Sequence, residues 1–439
     1  MLARTSHILP ATSNHSRMIL PHIFYILFFF MLGSCVGSFL NVVVWRLPRD
    51  ESLISPGSHC PKCNTPLAWY DNLPVIGWIK LAGKCRHCGQ PISMRYPTIE
   101  AVTGLLFVFY YVMFFILQHG PCAIAPEMVF DESRNMFHAR PLSILEDWPI
   151  FGLYLFLVSC LLAASLIDAE LFIIPVGIPW LAALVGIIAH TFIDRPMVPG
   201  ALLPATPTAA LAAGGAVGLG ISILLWRIGL LPQSFSNGEP LLEVDREAFA
   251  QENAQAQLEG REAATLPPQL TRAQIFAEIR KEMLFLMPPM ALAAACCLLT
   301  MRLPALGKWW GQVCANHWIG GFLGSIFGAL IGGFVVWLTR ILGTLGFGRV
   351  AMGLGDVHLM FGVGAIIGAG AATVAFFIAP FFGILVAISL LMTKTRRELP
   401  YGPYLSMATG VVLLFYCPIA AYLTPGLQGL GVALHSLLG

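Results

Sequence analysis

Long apolar segments alternate with short polar segments along most of this 439-residue chain. Several of the apolar segments approach or exceed the roughly 20 residues that a helix needs to cross the hydrocarbon core of a bilayer. Because a helix satisfies its own backbone hydrogen bonds, the pattern predicts an all-α polytopic membrane protein with about ten transmembrane helices. The predicted spans lie near residues 18–45, 98–117, 149–167, 174–193, 209–231, 283–301, 318–345, 358–372, 373–392 and 404–423.

Composition agrees with this class. Hydrophobic residues make up 57% of the chain and charged residues 11%, whereas about a quarter of the residues in a typical soluble domain are charged. The mean hydropathy is +0.76. A formal net charge of +2 is too small to indicate a nucleic-acid partner. We therefore expect membrane lipid, and no nucleic acid, around the chain.

The charges of the loops predict the orientation. The segment 46–97 is rich in Lys and Arg, the segment 118–148 is acidic, and the loop 393–403 is basic again. Because cytoplasmic loops carry the excess of Lys and Arg, alternating the ten spans places both basic segments on the cytoplasmic side. Asp168 and Asp356 then lie at that same face.

The pattern also predicts the boundaries of the parts. Leu32-Gly33-Ser34-Cys35 faintly resembles a lipoprotein cleavage box, but the apolar segment continues to Trp45. This length indicates a retained membrane anchor, since the apolar core of a signal peptide is shorter. The predicted parts are an N-terminal tail (1–17), a first helix (18–45), a cytoplasmic metal-binding domain (46–97), membrane helices with the first Asp (98–193), an insertion (194–317) and a final membrane domain (318–439).

Eleven cysteines form two groups. Seven are scattered, mostly in or beside apolar spans. The other four form Cys60-Pro61-Lys62-Cys63 and Cys85-Arg86-His87-Cys88, and two CxxC pairs at this spacing predict a tetrahedral zinc site of the zinc-ribbon type. Two disulfides are the alternative, which a reducing cytoplasm disfavours. His59 or His87 can replace a thiolate, but four cysteines leave no open coordination position, so the zinc would be structural.

Two carboxylates lie at the polar edges of apolar spans. Asp168 is in the sequence Ser165–Pro175, and Asp356 ends the motif Gly353-Leu354-Gly355-Asp356. An ionised Asp beside hydrocarbon is costly and is therefore a functional candidate, although each residue can also be an ordinary helix end in contact with water. Two nearby carboxyls sharing one proton can activate a water and polarise a peptide carbonyl, which predicts hydrolytic chemistry.

The motifs together resemble a known family, the bacterial type IV prepilin peptidases. The resemblance rests on Gly37–Pro48 (GSFLNVVVWRLP), Trp69–Val75 (WYDNLPV), Arg95–Glu100 (RYPTIE), the segment from Asp168 to Ile174-Pro175, and the GxGD motif. It covers roughly residues 18–190 and 318–423. It implies a GxGD aspartyl endopeptidase of the bacterial cytoplasmic (inner) membrane, with its active site facing the cytoplasm.

The resemblance also implies a reaction and its partners. Such enzymes, which serve type IV pili and type II secretion, remove the basic leader of prepilins and pseudopilins at the cytoplasmic interface. Many then N-methylate the new N-terminus with S-adenosylmethionine. Asp168 and Asp356 match the catalytic pair of the family. Gly353 and Gly355 keep side chains away from Asp356, either for close approach of substrate backbone or for a positive φ. Glu170, two residues away, is the alternative to Asp168 as the first catalytic carboxylate, but the family match and the helix-end position favour Asp168.

Three features depart from the family. Position 358 is His where Lys is usual, and position 176 is Val where an acidic residue often follows the Pro. The insertion 194–317 adds two spans and a polar segment, 232–282, which is interpreted as a tethered cytosolic linker and not as a second enzyme. The pattern of Arg272–Met287 predicts an amphipathic helix. Two other classes remain as alternatives: a membrane transporter bearing a zinc ribbon, and a non-catalytic scaffold of a secretion system. The sequence does not predict the oligomeric state.

Overall fold

The computed structural model describes most of the apolar segments and the cysteine-containing loop. The described residues are 13–60, 62–118, 128–131, 136–139, 142–193, 206–235, 271–348, 350–392, 400–416, 418–419 and 422. The start of the predicted tail, most of the polar segment 232–282 and most of the loop 393–403 lie outside them. The chain forms two compact units, residues 1–119 with 141–144, and residues 120–140 with 145–439.

The first unit is built on two long helices. Helix α1 (Ser13–Arg46) ends in a 3₁₀ turn, the short helix α2 (Ile76–Lys80) lies in the cysteine-containing loop, and α3 (Arg95–Tyr111) continues as a π-helical turn. Glycines allow α1 and α3 to approach closely: a Cβ atom on Gly37 would lie 2.8 Å from the Cα of Glu100. Substitution of this glycine would therefore force the two helices apart.

The second unit contains the remaining helices and a small hairpin. Strands β1 (Met128–Asp131) and β2 (Met136–Ala139) pair antiparallel, an addition to the predicted all-α class. The helices are α4 (Ile144–Leu171), α5 (Gly177–Phe192), α6 (Thr206–Arg227), α7 (Arg272–Arg302), α8 (Pro304–Cys314), α9 (His317–Phe347), α10 (Leu354–Met392) and α11 (Gly402–Tyr416).

The predicted membrane class is confirmed, with a smaller number of full-length spans. Among the described residues, seven helices are long and apolar enough to cross a membrane, namely α1, α3, α4, α6, α7, α9 and α10. Helices α5 and α11 coincide with predicted spans but are shorter. The predicted spans 358–372 and 373–392 correspond to two helical segments within α10, which meet at a kink at Gly368 (φ 81°, ψ 169°).

The start of α7 coincides with the start of the predicted amphipathic helix Arg272–Met287. Thr271 caps α7 in a capping box with Gln274, each side chain bonding the backbone of the other. This pairing satisfies backbone donors that the first helical turn leaves free. The end of the predicted linker 232–282 is therefore helical and continuous with a membrane span, and Ile275 and Ile279 in it are buried.

The break in α10 is packed against two neighbouring helices. His190 on α5 donates from Nε2 to the carbonyl of Ile366 at 2.8 Å, and the Ser325 hydroxyl on α9 donates to the carbonyl of Ala365 at 2.6 Å. A broken helix leaves backbone carbonyls to be satisfied by other groups when it is surrounded by apolar material. These two side chains satisfy carbonyls immediately before Gly368.

Candidate functional site

The four predicted zinc ligands lie together in the first unit. The Sγ atoms of Cys60, Cys63, Cys85 and Cys88 all lie within 4.8 Å of one another. The Sγ–Sγ distances of 3.8 Å for Cys60–Cys88 and 4.0 Å for Cys63–Cys85 are far longer than the roughly 2 Å of a disulfide. Four thiols clustered in this way form a donor set suited to a tetrahedral metal ion.

The backbone around each CxxC pair folds in the same way. The N–H of Cys60 donates to Thr65 at 3.0 Å, and the N–H of Asn64 donates to Cys60 at 2.8 Å. In the second pair, the N–H of Cys85 donates to Gln90 at 2.8 Å and that of Gly89 to Cys85 at 3.0 Å.

Both turns also use the same unusual backbone conformation. The residue that follows the second cysteine of each pair has a positive φ, +54° at Asn64 and +68° at Gly89. Asn and Gly are the residues that tolerate this conformation best. The loop therefore consists of two matching turns that direct their thiols toward one point.

Local hydrogen bonding favours the thiolate form of one cysteine in each pair, whereas burial and hydrogen bonds to the other three cysteines raise the pKa of Cys88 to about 11. Hydrogen bonds from the side chain and backbone of Thr65 lower the pKa of Cys63 to about 6. Backbone hydrogen bonds of Cys88 and His87 lower the pKa of Cys85. Because a metal binds the deprotonated form of cysteine, the turns prepare at least one thiol of each pair for a cation.

The N-terminal sequence motifs connect the helices of this unit to its loop. The Asn41 side chain on α1 donates to the carbonyl of Tyr96 at 3.2 Å, and the Glu100 carboxylate on α3 accepts from the N–H of Val75 at 2.7 Å. Arg86, between two cysteines, donates to Asp71 at 2.5 and 2.7 Å and holds the pKa of that carboxyl below its usual range. The three motifs are therefore structural partners.

Asp168 lies in the last turn of α4, in the second unit. Its side chain is 6% exposed, and its Oδ2 accepts from the backbone N–H of Gly402 at 3.0 Å. The helix ends because Phe172 adopts φ +55° while its N–H still bonds the carbonyl of Asp168. Pro175 then separates α4 from α5. Asp168 is therefore an inward-facing residue at a helix end, whereas Glu170 is exposed.

Asp356 lies in the first turn of α10 and is 7% exposed. The N-terminal end of a helix stabilises a negative charge. A Cβ atom on Gly353 would lie 3.6 Å from Asp356 Oδ2, and one on Gly355 would lie 3.1 Å from Ile174 Cβ. Neither glycine has a positive φ. The close approach of Ile174 accounts for Gly355, whereas a Cβ atom on Gly353 would make only an ordinary contact.

The two predicted carboxylates lie in one neighbourhood around Ile174 and Gly402. A Cβ atom on Gly402 would lie 2.6 Å from Asp168 Oδ2 and 3.2 Å from Ile174 Cδ1. Ile174 in turn is in contact with Gly355 of the Asp356 motif. Tyr401 lies within electrostatic range of Asp356. The start of α11 therefore joins the segments that carry the two Asp residues.

Sequence reasoning missed Gly402 as part of this site. The signal available was the sequence Tyr401-Gly402-Pro403 between a basic loop and an apolar span. Glycine is common in such places, and only the fold reveals that its N–H faces Asp168. Asp168 and Gly402 are distant in the chain, so no local pattern connects them.

The two positions that depart from the family are near this site. Val176 is the N-cap of α5 and makes no side-chain cap hydrogen bond, whereas an acidic residue is a favoured cap at such a position. The ring of His358 lies 6.3 Å from that of Trp180, and its Nδ1 has no hydrogen-bond partner among the described residues. Neither position contributes a carboxylate to the site.

Part of the first unit is similar to known proteins. Residues 31–114 match the family model of the bacterial peptidase A24 N-terminal domain. This confirms the resemblance to type IV prepilin peptidases over that part of the chain, which contains the four clustered cysteines. The matched range ends before Asp168 and Asp356.

Curated relatives agree with this match over short stretches. Proteins named prepilin leader peptidase/N-methyltransferase are 55% identical over 83 residues in Myxococcus xanthus, 49% over 87 residues in Klebsiella pneumoniae and 41% over 101 residues in Neisseria gonorrhoeae. These alignments cover 19%, 18% and 18% of this chain, and 25%, 38% and 35% of the respective relatives. The chain thus spans only about a quarter to two fifths of the relatives it matches. No solved structure matches the chain significantly.

Proposed function

We propose that this chain is a membrane aspartyl endopeptidase that removes the basic leader of prepilins or pseudopilins. The observation that carries the proposal is the convergence of two buried carboxylates, Asp168 and Asp356, around Ile174 and Gly402. The similarity of residues 31–114 to prepilin peptidases supports the choice of substrate. The bacterial inner membrane is the proposed location.

The two carboxyls would divide the chemistry of hydrolysis between them. One carboxylate removes a proton from a water molecule as the water attacks the scissile carbonyl, and the protonated partner donates a hydrogen bond to the carbonyl oxygen. The tetrahedral intermediate then collapses as its nitrogen is protonated, which releases the leader and the new N-terminus. Because the two carboxyls share one proton, that proton is assigned to the pair and not to either Asp alone.

The helix ends define where the substrate is cut. Asp168 lies in the last turn of α4 and Asp356 in the first turn of α10, so both lie at ends of membrane helices. The basic loops favour the cytoplasmic face for these ends. A stable substrate helix shields its peptide bonds, so the scissile bond must be unwound, which is easiest at the membrane boundary.

Cleavage at the boundary gives the first test. The purified chain in lipid is expected to cut a prepilin just before its apolar helix, as measured by mass spectrometry of the product. Moving the junction one or two helical turns into the apolar segment is expected to abolish cutting at the moved site. Efficient cutting there would contradict interfacial cleavage, and no cutting of the native prepilin would contradict the proposed activity.

The role of Gly402 gives a second prediction. Gly402→Ala is expected to displace the Asp168 carboxylate, because the new methyl group would lie 2.6 Å from its Oδ2. A displacement of about 1 Å lowers turnover by roughly 100-fold. Gly370→Ala on α10 is the matched control, since a Cβ atom there meets nothing within 4 Å. Equal cleavage rates for the two variants would refute the placement of Asp168 by Gly402.

Two further assignments concern the cofactors. We propose that the cluster of Cys60, Cys63, Cys85 and Cys88 holds a structural Zn²⁺, because four thiolates leave no open position for catalysis.

We also propose that the chain N-methylates the new N-terminus with S-adenosylmethionine, since its relatives are named N-methyltransferases. A product that gains one methyl group only when S-adenosylmethionine is added would support the second assignment.

The transporter alternative rests on one specific observation. A break at Gly368 inside α10 is typical of transporters, whose broken helices line a substrate path. Here, however, the carbonyls of Ala365 and Ile366 before the break are bonded by Ser325 and His190. Carbonyls engaged in this way do not face a path, so the break favours helix packing over transport.

A further inference from the structure

A buried ion pair connects the insertion to helix α9. Arg340 on α9 is 0% exposed and Glu282 on α7 is 2% exposed. The guanidinium donates from Nη2 to Oε1 of Glu282 at 2.9 Å and from Nε to both carboxylate oxygens at 3.2 Å. The indole N–H of Trp337 donates to Oε2 at 2.8 Å. The carboxylate is therefore held from two positions on α9.

The same guanidinium reaches the loop that carries the GxGD motif. Nη1 of Arg340 donates to the backbone carbonyl of Met352, which immediately precedes Gly353. One residue earlier, the N–H of Ala351 donates to the hydroxyl of Thr344 at 3.2 Å. The backbone leading into Asp356 is thus anchored at two consecutive residues by two buried side chains of α9.

The anchor depends on the carboxylate of the inserted helix. A buried guanidinium without a partner is strongly unfavourable, whereas a pair with all its hydrogen bonds satisfied is tolerated. Glu282 accepts from Nε and Nη2, while Nη1 donates to the loop. Phe235 covers the pair from the other side, with its ring 5.3 Å from the Arg340 Cζ atom. Glu282 therefore helps to hold the guanidinium in the orientation that directs Nη1 at the loop.

We infer that the insertion positions the proposed catalytic Asp356 through the chain Glu282–Arg340–Met352. On this view Glu282 and Arg340 are positioning residues, and helix α7 is part of the active-site scaffold rather than a tether. The inference rests on the proposed peptidase function, and it gives the insertion a role in that reaction. In this role both residues act through the backbone of the loop.

The test replaces the pair without leaving a buried charge. In the double variant Glu282→Gln with Arg340→Met, no charge is left buried, and the side-chain oxygen of Gln can still accept the indole N–H of Trp337. The Met352 carbonyl loses its donor. We expect the turnover number for prepilin cleavage to fall about 10- to 100-fold, with KM within about twofold of the original. Lys281→Gln is the control, because Lys281 bonds the more exposed Glu278 instead.

A second measurement separates positioning from folding and from the proposed function. Amide hydrogen exchange over residues 350–356 is expected to be faster in the double variant and unchanged in Lys281→Gln, while thermal unfolding is similar in all three proteins. The single variant Glu282→Met should unfold at a lower temperature, because it strands the Arg340 charge. Unchanged turnover or unchanged exchange in the folded double variant would overturn the inference. Failure of the native chain to cleave prepilin would refute the proposed function alone, since the exchange comparison needs no activity.

Discussion

Replacing either Asp168 or Asp356 by Asn is expected to reduce leader cleavage by about 100- to 10,000-fold or more. A positioned acid or base contributes a factor of this order, and an amide can neither accept nor release the shared proton. Asn has nearly the shape of Asp, and its side-chain oxygen can still accept the N–H of Gly402 that Asp168 accepts now. The measurement is the initial rate of prepilin cleavage by each purified variant.

Glu170→Gln is the control for that experiment. Glu170 is two residues from Asp168 but exposed, whereas Asp168 is buried. Its substitution removes one carboxylate from the same helix end without touching the site, so the rate should change by less than about tenfold. Near-normal cleavage by either Asn variant would remove that Asp from the mechanism. Loss of activity in Glu170→Gln alone would assign the first carboxylate to Glu170.

The parts that the sequence predicted well depend on local patterns. Apolar length predicted where helices lie, and the CxxC spacing predicted that four thiols meet, as they do within 4.8 Å. The matching turns were not predicted, although Asn64 and Gly89 are residue types that tolerate the positive φ found there. The boundary between the predicted spans 358–372 and 373–392 was placed a few residues after the kink at Gly368. The apolar segment is continuous there, so the pattern of apolar residues does not show where one helix ends.

The parts that the sequence did not predict depend on contacts between distant residues. Glu282 follows Arg280 and Lys281 at the end of the polar segment 232–282, so its pattern predicted an amphipathic helix but no buried partner. Its burial is caused by Arg340, 58 residues later in the chain. Gly402 likewise acquires its role only when α11 packs beside Asp168. A single sequence carries no signal that pairs such residues, because each is locally unremarkable.

The second large effect is expected at the metal centre. Purified protein should contain about one zinc per chain, and Cys60→Ser or Cys85→Ser should lose it. These residues come from different CxxC turns, and both are buried. In small metal-bound domains the binding free energy, about 10–16 kcal/mol for zinc-finger peptides, supplies the free energy of folding. Loss of the metal should therefore expose residues 46–97 to limited proteolysis.

Cys35→Ser is the control for the metal centre, because Cys35 is an exposed residue of α1 outside the cluster. It should keep the zinc and the protease resistance of the native protein. Inside the loop, Trp78 packs against Gly83 and donates a hydrogen bond to the carbonyl of Ile92 at 3.1 Å. Such contacts form too small a core to replace the metal. Native protein with four reduced cysteines and no zinc would contradict the assignment. So would a Cys60→Ser variant that binds zinc as fully as Cys35→Ser, because three thiols would then suffice.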